Sequence, residues 1–355
     1  MNFMKKITGI AAVLILIISA IFVPSCKKAE KGPTRFSAYS FDCFDTVSTV
    51  TGYAESQEEF DEIANGILAE LSEYHRLFNI YQRYDGMENL RTINALTNGE
   101  HSTINVDGKI IDLLLYAKEM YSLTGGQMNI AMGSVLSIWH EYRSDGVDDP
   151  ENAELPPMER LVAASEHTNI DDLVIDVENR TVTLKDPQMT LDVGAVAKGY
   201  AVEMVARGLE ERGISGFVIN VGGNIRTVGS KPDGKNWTVG IEDPLGGDDY
   251  ISYLSLSHEA LVTSGSYQRF YIVNGKRYHH IIDQKTLMPA EGFASVSVLT
   301  SDSAQGDALS TALFCMSFED GMSLIESLTG VEAQWVFGDG TLKASSGWAS
   351  HTVLP

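Results

Sequence analysis

Two short stretches, taken together, decide how the chain is interpreted: residues 192–200, with the sequence DVGAVAKGY, and residues 307–311, with the sequence DALST. The first is typical of a strand end and a glycine turn that open a helix, where free backbone N–H groups bind phosphate. The second places the Asp307 carboxylate and the Thr311 hydroxyl one helical turn apart, so both point the same way. Hard oxygen ligands beside a phosphate-binding helix start predict a site for Mg²⁺ and a nucleotide.

Each stretch also has a simpler explanation. Lys198 falls in the first helical turn, where it can pair with phosphate, but it can equally be a solvated lysine after a glycine turn. Asp307 can be a carboxylate placed to favour the helix dipole, and Thr311 can hydrogen-bond to its own helix. Taken singly, these residues leave both explanations open.

Three more motifs carry polar groups suited to a ligand. Residues 221–224 (VGGN) are a glycine turn that a tight hairpin explains equally well. Residues 263–270 (TSGSYQRF) can hold a phosphate or ribose, or form only a polar loop. In residues 278–283 (YHHIID), strand alternation puts His280 on the face opposite Asp283, unless the strand ends there. That segment is either part of an active site or a half-buried strand whose histidines have hydrogen-bond partners.

The N-terminus predicts the compartment. Lys5 and Lys6 precede an apolar run over residues 7–23, and Cys26 follows closely, as in a bacterial lipobox. We expect a lipoprotein signal peptide over residues 1–25, lipidation of Cys26, a lipid-anchored tether over residues 26–35 and one catalytic domain over residues 36–355. An uncleaved membrane anchor or ordinary secretion is the alternative. The predicted location is the extracytoplasmic face of the bacterial cell membrane, with a lipid anchor.

Composition excludes several classes of function. The 355 residues carry 26 Lys and Arg against 48 Asp and Glu, a net charge of −22, which argues against nucleic acid as a partner. An acidic chain can still bind a nucleotide, because a divalent cation reverses the local field. Besides Cys26, only Cys43 and Cys315 are present, too few for a disulfide framework.

Periodicity predicts a mixed fold. Ser56 and Asp107 are expected to begin helices, and further helices are expected over residues 195–212, 303–316 and 318–329. Between them, short β-branched segments flank turn residues, as in 173–184 and 216–228. Adjacent hairpins favour an α+β fold with mostly antiparallel sheets and flanking helices.

Considered together, the motifs resemble those of the ApbE family, the FAD:protein FMN transferases. The resemblance covers nearly the whole chain after residue 26. It is carried, in chain order, by Phe44-Asp45-Thr46, Ile80-Tyr81, Asn94, Met128-Asn129-Ile130-Ala131, Trp139, residues 192–200, residues 220–225, Thr263-Ser264-Gly265, His280-Ile281-Ile282-Asp283 and residues 307–312.

The resemblance implies an enzyme that splits the pyrophosphate of FAD and transfers FMN to a threonine hydroxyl of a partner protein, with release of AMP. It implies an extracytoplasmic flavoprotein acceptor that carries a threonine-containing motif. It implies Mg²⁺ ligands at Asp307, Thr311 and the carbonyl of Ala195, and a catalytic role for His280 and Asp283. Contacts to FAD are implied for Phe44, Tyr81, Gln127, Met128, Asn129, Asp192, Lys198 and Ile281. An FAD pyrophosphatase that gives FMN and AMP, or a non-catalytic flavin-binding lipoprotein, is the alternative.

Overall fold

The computed structural model describes residues 32–98, 103–247 and 249–354. Its strands are β1 (Thr34–Cys43), β2 (Thr46–Ala54), β3 (Thr103–Asn105), β4 (Leu173–Asp176), β5 (Thr181–Leu184), β6 (Phe217–Val221), β7 (Asn224–Val228), β8 (Trp237–Glu242), β9 (Tyr250–Leu256), β10 (Ala260–Gly265), β11 (Phe270–Val273), β12 (Lys276–His279), β13 (Phe293–Thr300), β14 (Glu332–Phe337) and β15 (Leu342–Ala344). Eight of them form one sheet in the order β1-β2-β6-β7-β10-β13-β14-β15. Every neighbouring pair in this sheet is antiparallel.

The helices are α1 (Gln57–Phe78), α2 (Leu90–Asn94), α3 (Gly108–Leu123), α4 (Gly133–Asp148), α5 (Met158–Ser165), α6 (Ala197–Glu211), α7 (Ser303–Phe314) and α8 (Phe318–Ser327). Two of their predicted starts are confirmed. Ser56 caps α1 by accepting from the Glu59 N–H at 3.2 Å, and Asp107 caps α3 by accepting from the Lys109 N–H at 2.8 Å. Each cap satisfies a backbone donor that the first helical turn leaves free.

The main core lies where α1, α3 and α6 pack together and against strands of the large sheet; Phe60, Leu71, Leu114 and Val202 are among its fully buried members. All eight residues of β13 are buried, so both faces of that strand are covered. A second apolar cluster joins Leu261 and Leu299 to side chains of the β8–β9 hairpin and to Trp348. Helices therefore cover one face of the sheet, and the hairpin covers part of the other.

The predicted α+β class with antiparallel sheets is confirmed, as is the hairpin at residues 222–223. Gly222 and Gly223 have φ angles of +57° and +87°, which favour glycine and match a two-residue hairpin turn. The strand alternation considered for residues 278–283 does not apply beyond His279, because β12 ends there. The sequence analysis does not predict helices α2, α4 and α5. No side chain caps the start of α4 or α5, so the sequence lacks that signal there, whereas Asn89 caps α2.

A buried ion pair ties the sheet to two helices. Arg226 of β7 donates to Glu203 of α6 at 3.0 Å, and the Ser303 N–H at the start of α7 donates to the same carboxylate oxygen at 2.8 Å. Burial would raise the pKa of Glu203, but hydrogen bonds and charge from Arg226 outweigh it and hold that pKa below its usual value. This contact fixes α6 and α7 relative to β7.

The predicted signal peptide and Cys26 lie outside the described residues, as does most of the predicted tether. Strand β1 begins at Thr34, two residues before the predicted start of the domain at residue 36. In the part of the chain that the structure describes, we find no helix whose length and apolar character would suffice to cross a membrane.

Helices α6 and α7 approach closely at Gly199. A Cβ at this position would collide with the Ser303 carbonyl oxygen and with Cβ of Asp307. A glycine is required here because the backbone of one helix start contacts the other helix directly.

We expect Gly199→Ala to lower the free energy of unfolding by about 1–3 kcal/mol, because the added methyl forces the two helices apart. Gly66→Ala is the matched control: Gly66 lies within α1 and a Cβ there would meet nothing within 4 Å. That control should raise stability by up to about 1 kcal/mol through helix propensity. Urea unfolding followed by circular dichroism measures both, and equal stability of Gly199→Ala and the parent would contradict the close approach.

Candidate active site

A cavity of about 550 Å³ opens where several turns and helix ends meet. Its wall is built by the turn between β1 and β2, the start of α6, the turn between β6 and β7, the end of β10, and one side of α4. Among its lining residues are the following predicted site residues: Phe44, Tyr81, Gln127, Met128, Asn129, Asp192, Ala195, Lys198, His280, Ile281, Asp307 and Thr311. Motifs far apart in the chain thus share one cavity.

The carboxylate of Asp307 binds the start of α6. It is 3% exposed and accepts from the Gly199 N–H at 2.9 Å, while Nζ of Lys198 lies 3.2 and 3.3 Å from its two oxygens. Val196, the residue before α6, supplies no side-chain cap. Asp307 therefore caps α6 from another helix, and its negative charge lies at the positive end of the helix dipole.

Three oxygen-bearing groups line this side of the cavity: Ala195, Asp307 and Thr311. The Thr311 hydroxyl lies 3.4 Å from Oγ of Ser264, whose nearer partner is Ser310 at 2.8 Å. Within the described ranges no group of three or more His, Cys, Asp or Glu side chains could hold a metal. A cation here would have one carboxylate and neutral oxygens, a donor set that suits Mg²⁺, which keeps several waters or substrate oxygens.

His280 lies among cations. Its backbone N–H donates to the Arg269 carbonyl at 3.1 Å, and its Nδ1 lies 3.3 Å from the same oxygen. Burial lowers the pKa of His280 to about 3, and the charges of Arg269, Arg143 and Lys198 add to the shift. The imidazole is therefore neutral near pH 7.

The neighbouring His279 has a structural role. It is buried, its Nε2 lies 2.8 Å from the Ala290 carbonyl, and its Nδ1 accepts from the Ile281 N–H at 3.2 Å. Both ring nitrogens are used by the backbone. Of the two histidines in the motif, only His280 reaches the cavity.

The turn between β1 and β2 is strained and held from two sides. Phe44 and Asp45 have φ angles of +56° and +50°, which are unusual for residues other than glycine. The Phe44 N–H donates to Nδ1 of His75 at 3.0 Å, and Arg269 donates to both turn carbonyls at 3.2 Å. Such strain persists only where the surroundings impose it, as at a ligand site.

The structure shows the surroundings of three residues that are predicted to contact FAD. Oδ1 of Asp192 accepts from the Gly194 N–H at 2.8 Å, and burial raises the pKa of that carboxyl. Oε1 of Gln127 is buried and has no hydrogen-bond partner among the described residues. The amide of Asn129 is already used at both ends, by the Ala131 N–H and the Thr168 carbonyl.

Asp283 differs from the other predicted site residues. It is not among the residues that line the cavity. Its carboxylate accepts from the Lys285 N–H at 2.9 Å, inside a turn in which the Leu287 N–H donates to the Asp283 carbonyl. Its catalytic role stays a prediction, and the contacts that Asp283 makes here stabilise that turn.

Among the cavity residues that the sequence did not indicate are three that can be charged or donate hydrogen bonds: His75 on α1, and His140 and Arg143 on α4. His140 and Arg143 are three positions apart, the spacing that puts two side chains on one helix face. Because α4 was not predicted as a helix, this signal was not used.

Comparison with known proteins agrees with the geometry. The chain is 33% identical over 253 residues to the FAD:protein FMN transferase of Treponema pallidum, covering 68% of this chain and 69% of the relative. It is 28% identical to the Haemophilus influenzae protein of the same name, covering 91% and 90%. The crystal structure of an ApbE protein from Thermotoga maritima superposes with a TM-score of 0.78 at 27% identity, covering 90% of this chain and all of that one. The model of the ApbE family matches residues 44–335, and the chain belongs to that family.

Proposed function

We propose that this protein is a Mg²⁺-dependent FAD:protein FMN transferase. It cleaves the pyrophosphate of FAD, transfers FMN to a threonine hydroxyl of a flavoprotein acceptor and releases AMP. The names of the relatives support flavin transfer as the reaction. The observation that carries the proposal is the convergence of Lys198, Arg143 and Arg269 on His280, beside the oxygen groups of Asp307 and Thr311.

The charges favour an anionic substrate. Among the described residues, neither Arg143 nor Arg269 has a carboxylate within ion-pair distance, whereas Lys198 pairs with Asp307. Like charges brought together in a partly desolvated cavity repel, and an anion relieves that repulsion. A pyrophosphate has the charge that would pair with Arg143 and Arg269.

The site also suits a magnesium ion. Asp307, Thr311 and the carbonyl of Ala195 would hold it, and when bound it would neutralise charge on the pyrophosphate oxygens. Lys198, whose Nζ lies 3.2 and 3.3 Å from the two Asp307 oxygens, would bind a phosphate oxygen.

His280 has the protonation state that a general base needs. A carbonyl oxygen only accepts hydrogen bonds, so contact with the Arg269 carbonyl places the ring proton on Nδ1. The lone pair on Nε2 is then free to take the proton of the threonine hydroxyl as its oxygen attacks the FMN phosphorus. The bond from that phosphorus to the bridging oxygen breaks, and AMP leaves with the bridging oxygen.

The proposed setting comes from the N-terminal sequence. Lipidation of Cys26 would hold the enzyme at the extracytoplasmic face of the bacterial membrane. Its acceptor would then be an extracytoplasmic flavoprotein domain with a threonine-containing motif. The excess of acidic residues argues against nucleic acid as a partner.

Asp307→Asn should abolish Mg²⁺-dependent FMN transfer, because the amide lacks the charge that a cation needs. Asparagine keeps an oxygen that can accept from the Gly199 N–H, so the fold should remain. The assay incubates enzyme, FAD, Mg²⁺ and a candidate acceptor, and it separates fluorescent acceptor from free FMN.

Asp112→Asn is the control, since Asp112 is an exposed carboxylate on α3. Transfer by folded Asp307→Asn at the parental rate would show that the metal assignment is wrong. If free FMN appears and every acceptor tried stays unlabelled, the protein is an FAD pyrophosphatase. If neither free FMN nor labelled acceptor appears, it is a flavin-binding protein.

His280→Ala should reduce transfer by about 10²–10⁴-fold if the imidazole is the base. Because the pKa of His280 is about 3, the ring is protonated only well below neutral pH. As the pH is lowered through 6.5, kcat/KM for FAD should therefore not fall through protonation of this histidine. Measurement of kcat/KM from pH 5 to 8, with folding checked by circular dichroism, tests this. A fall of kcat/KM below about pH 6.5 in the parent would argue against a base with a lowered pKa.

Cys26→Ser should release the protein from the membrane fraction, because the serine cannot carry the lipid. Mass spectrometry of the mature parental protein should find a lipidated N-terminal Cys26. A variant that stays in the membrane fraction would instead favour an uncleaved apolar anchor.

A further inference from the structure

His140 and Arg143 of α4 both line the cavity, and His140 has no part in the chemistry proposed above. The rings of His140 and Tyr81 are stacked, with centroids 5.0 Å apart and planes at 30°. On the next turn of α4, Nη2 of Arg143 lies 2.8 Å from Nδ1 of His140. Arg143, His140 and Tyr81 thus form a continuous row along the cavity wall.

The arginine fixes the state of the histidine. A guanidinium only donates hydrogen bonds, so Nδ1 of His140 must be the acceptor, and the ring proton lies on Nε2. Burial and the charge of Arg143 both lower the pKa of His140, which agrees with a neutral ring. The contact also restricts rotation of the imidazole, so the ring keeps the plane in which it stacks on Tyr81.

Tyr81 is placed to bind a flat ligand. Its backbone N–H donates to Oδ1 of Asn79 at 2.8 Å, which anchors the segment to the end of α1. The side chain is 57% exposed although it lines the cavity, and His140 stacks against its ring. The rest of the ring surface is free for a planar group to pack against.

We propose that His140, held by Arg143, is a positioning residue that orients the Tyr81 ring to stack on a planar heteroaromatic ring of the dinucleotide substrate. The identity of that ring, isoalloxazine or adenine, rests on the proposed function. The stacking requires only that a planar aromatic ligand enters the cavity.

The test compares His140→Ala with His140→Phe, using FMN and AMP as separate ligands. Loss of the stack should weaken binding of one of them by about three- to tenfold, while His140→Phe, which keeps an aromatic ring against Tyr81, should restore it. FMN binding is followed by quenching of flavin fluorescence, and AMP binding by calorimetry. With FAD as substrate, KM should rise in His140→Ala and kcat should not change, because the ring is bound equally in the ground and transition states.

Glu141→Ala is the matched control: this neighbouring residue of α4 pairs with Arg160 at 2.7 Å and is not among the cavity residues. It should bind both ligands as the parent does. The inference is overturned if His140→Ala binds both ligands at parental strength, if it weakens both equally, or if His140→Phe is as weak as His140→Ala. A parent that binds FMN or AMP but transfers nothing would refute the proposed function alone, since the ring-binding comparison does not need turnover.

Discussion

The hydrogen bond from the Gly199 N–H to the Asp307 carboxylate is the contact on which the rest of the site depends. It joins α6 and α7, whose starts are 106 positions apart, across a distance that only a glycine permits. The same carboxylate contacts Lys198, so one buried charge serves the helix start and the cavity together. Removing the whole carboxylate group would leave the Gly199 N–H of α6 without a partner, as well as changing the ligand site.

Contacts with the large sheet hold α6 and α7 in the positions that this hydrogen bond requires. Arg226 of β7 and the Ser303 N–H share an oxygen of Glu203, which fixes the middle of α6 and the start of α7 over the same strand. Asn224, the first residue of β7, accepts a hydrogen bond from the Ser303 hydroxyl. These contacts hold in place the helix ends that line the cavity.

The cavity brings cations together in a chain that is acidic overall. A net charge of −22 favours solubility and disfavours anionic partners at the surface, yet Lys198, Arg143 and Arg269 lie close enough to His280 to lower its pKa. Tertiary structure concentrates a few cations from three separate segments, and burial strengthens their field. Overall charge therefore says little about the ligand of a cavity.

Local sequence is enough to predict the fold class, the helix starts at Ser56 and Asp107, the hairpin at residues 222–223 and the motif that pairs Asp307 with Thr311. These depend on local chemistry: caps, turns and periodicity act over a few residues. The packing of distant segments is needed to show that His280 rather than His279 reaches the cavity, that Asp283 stabilises a turn, and that α4 brings His140 and Arg143 to Tyr81. Those outcomes depend on where β12 ends and on how distant segments pack, and neither is encoded in the spacing of neighbouring residues.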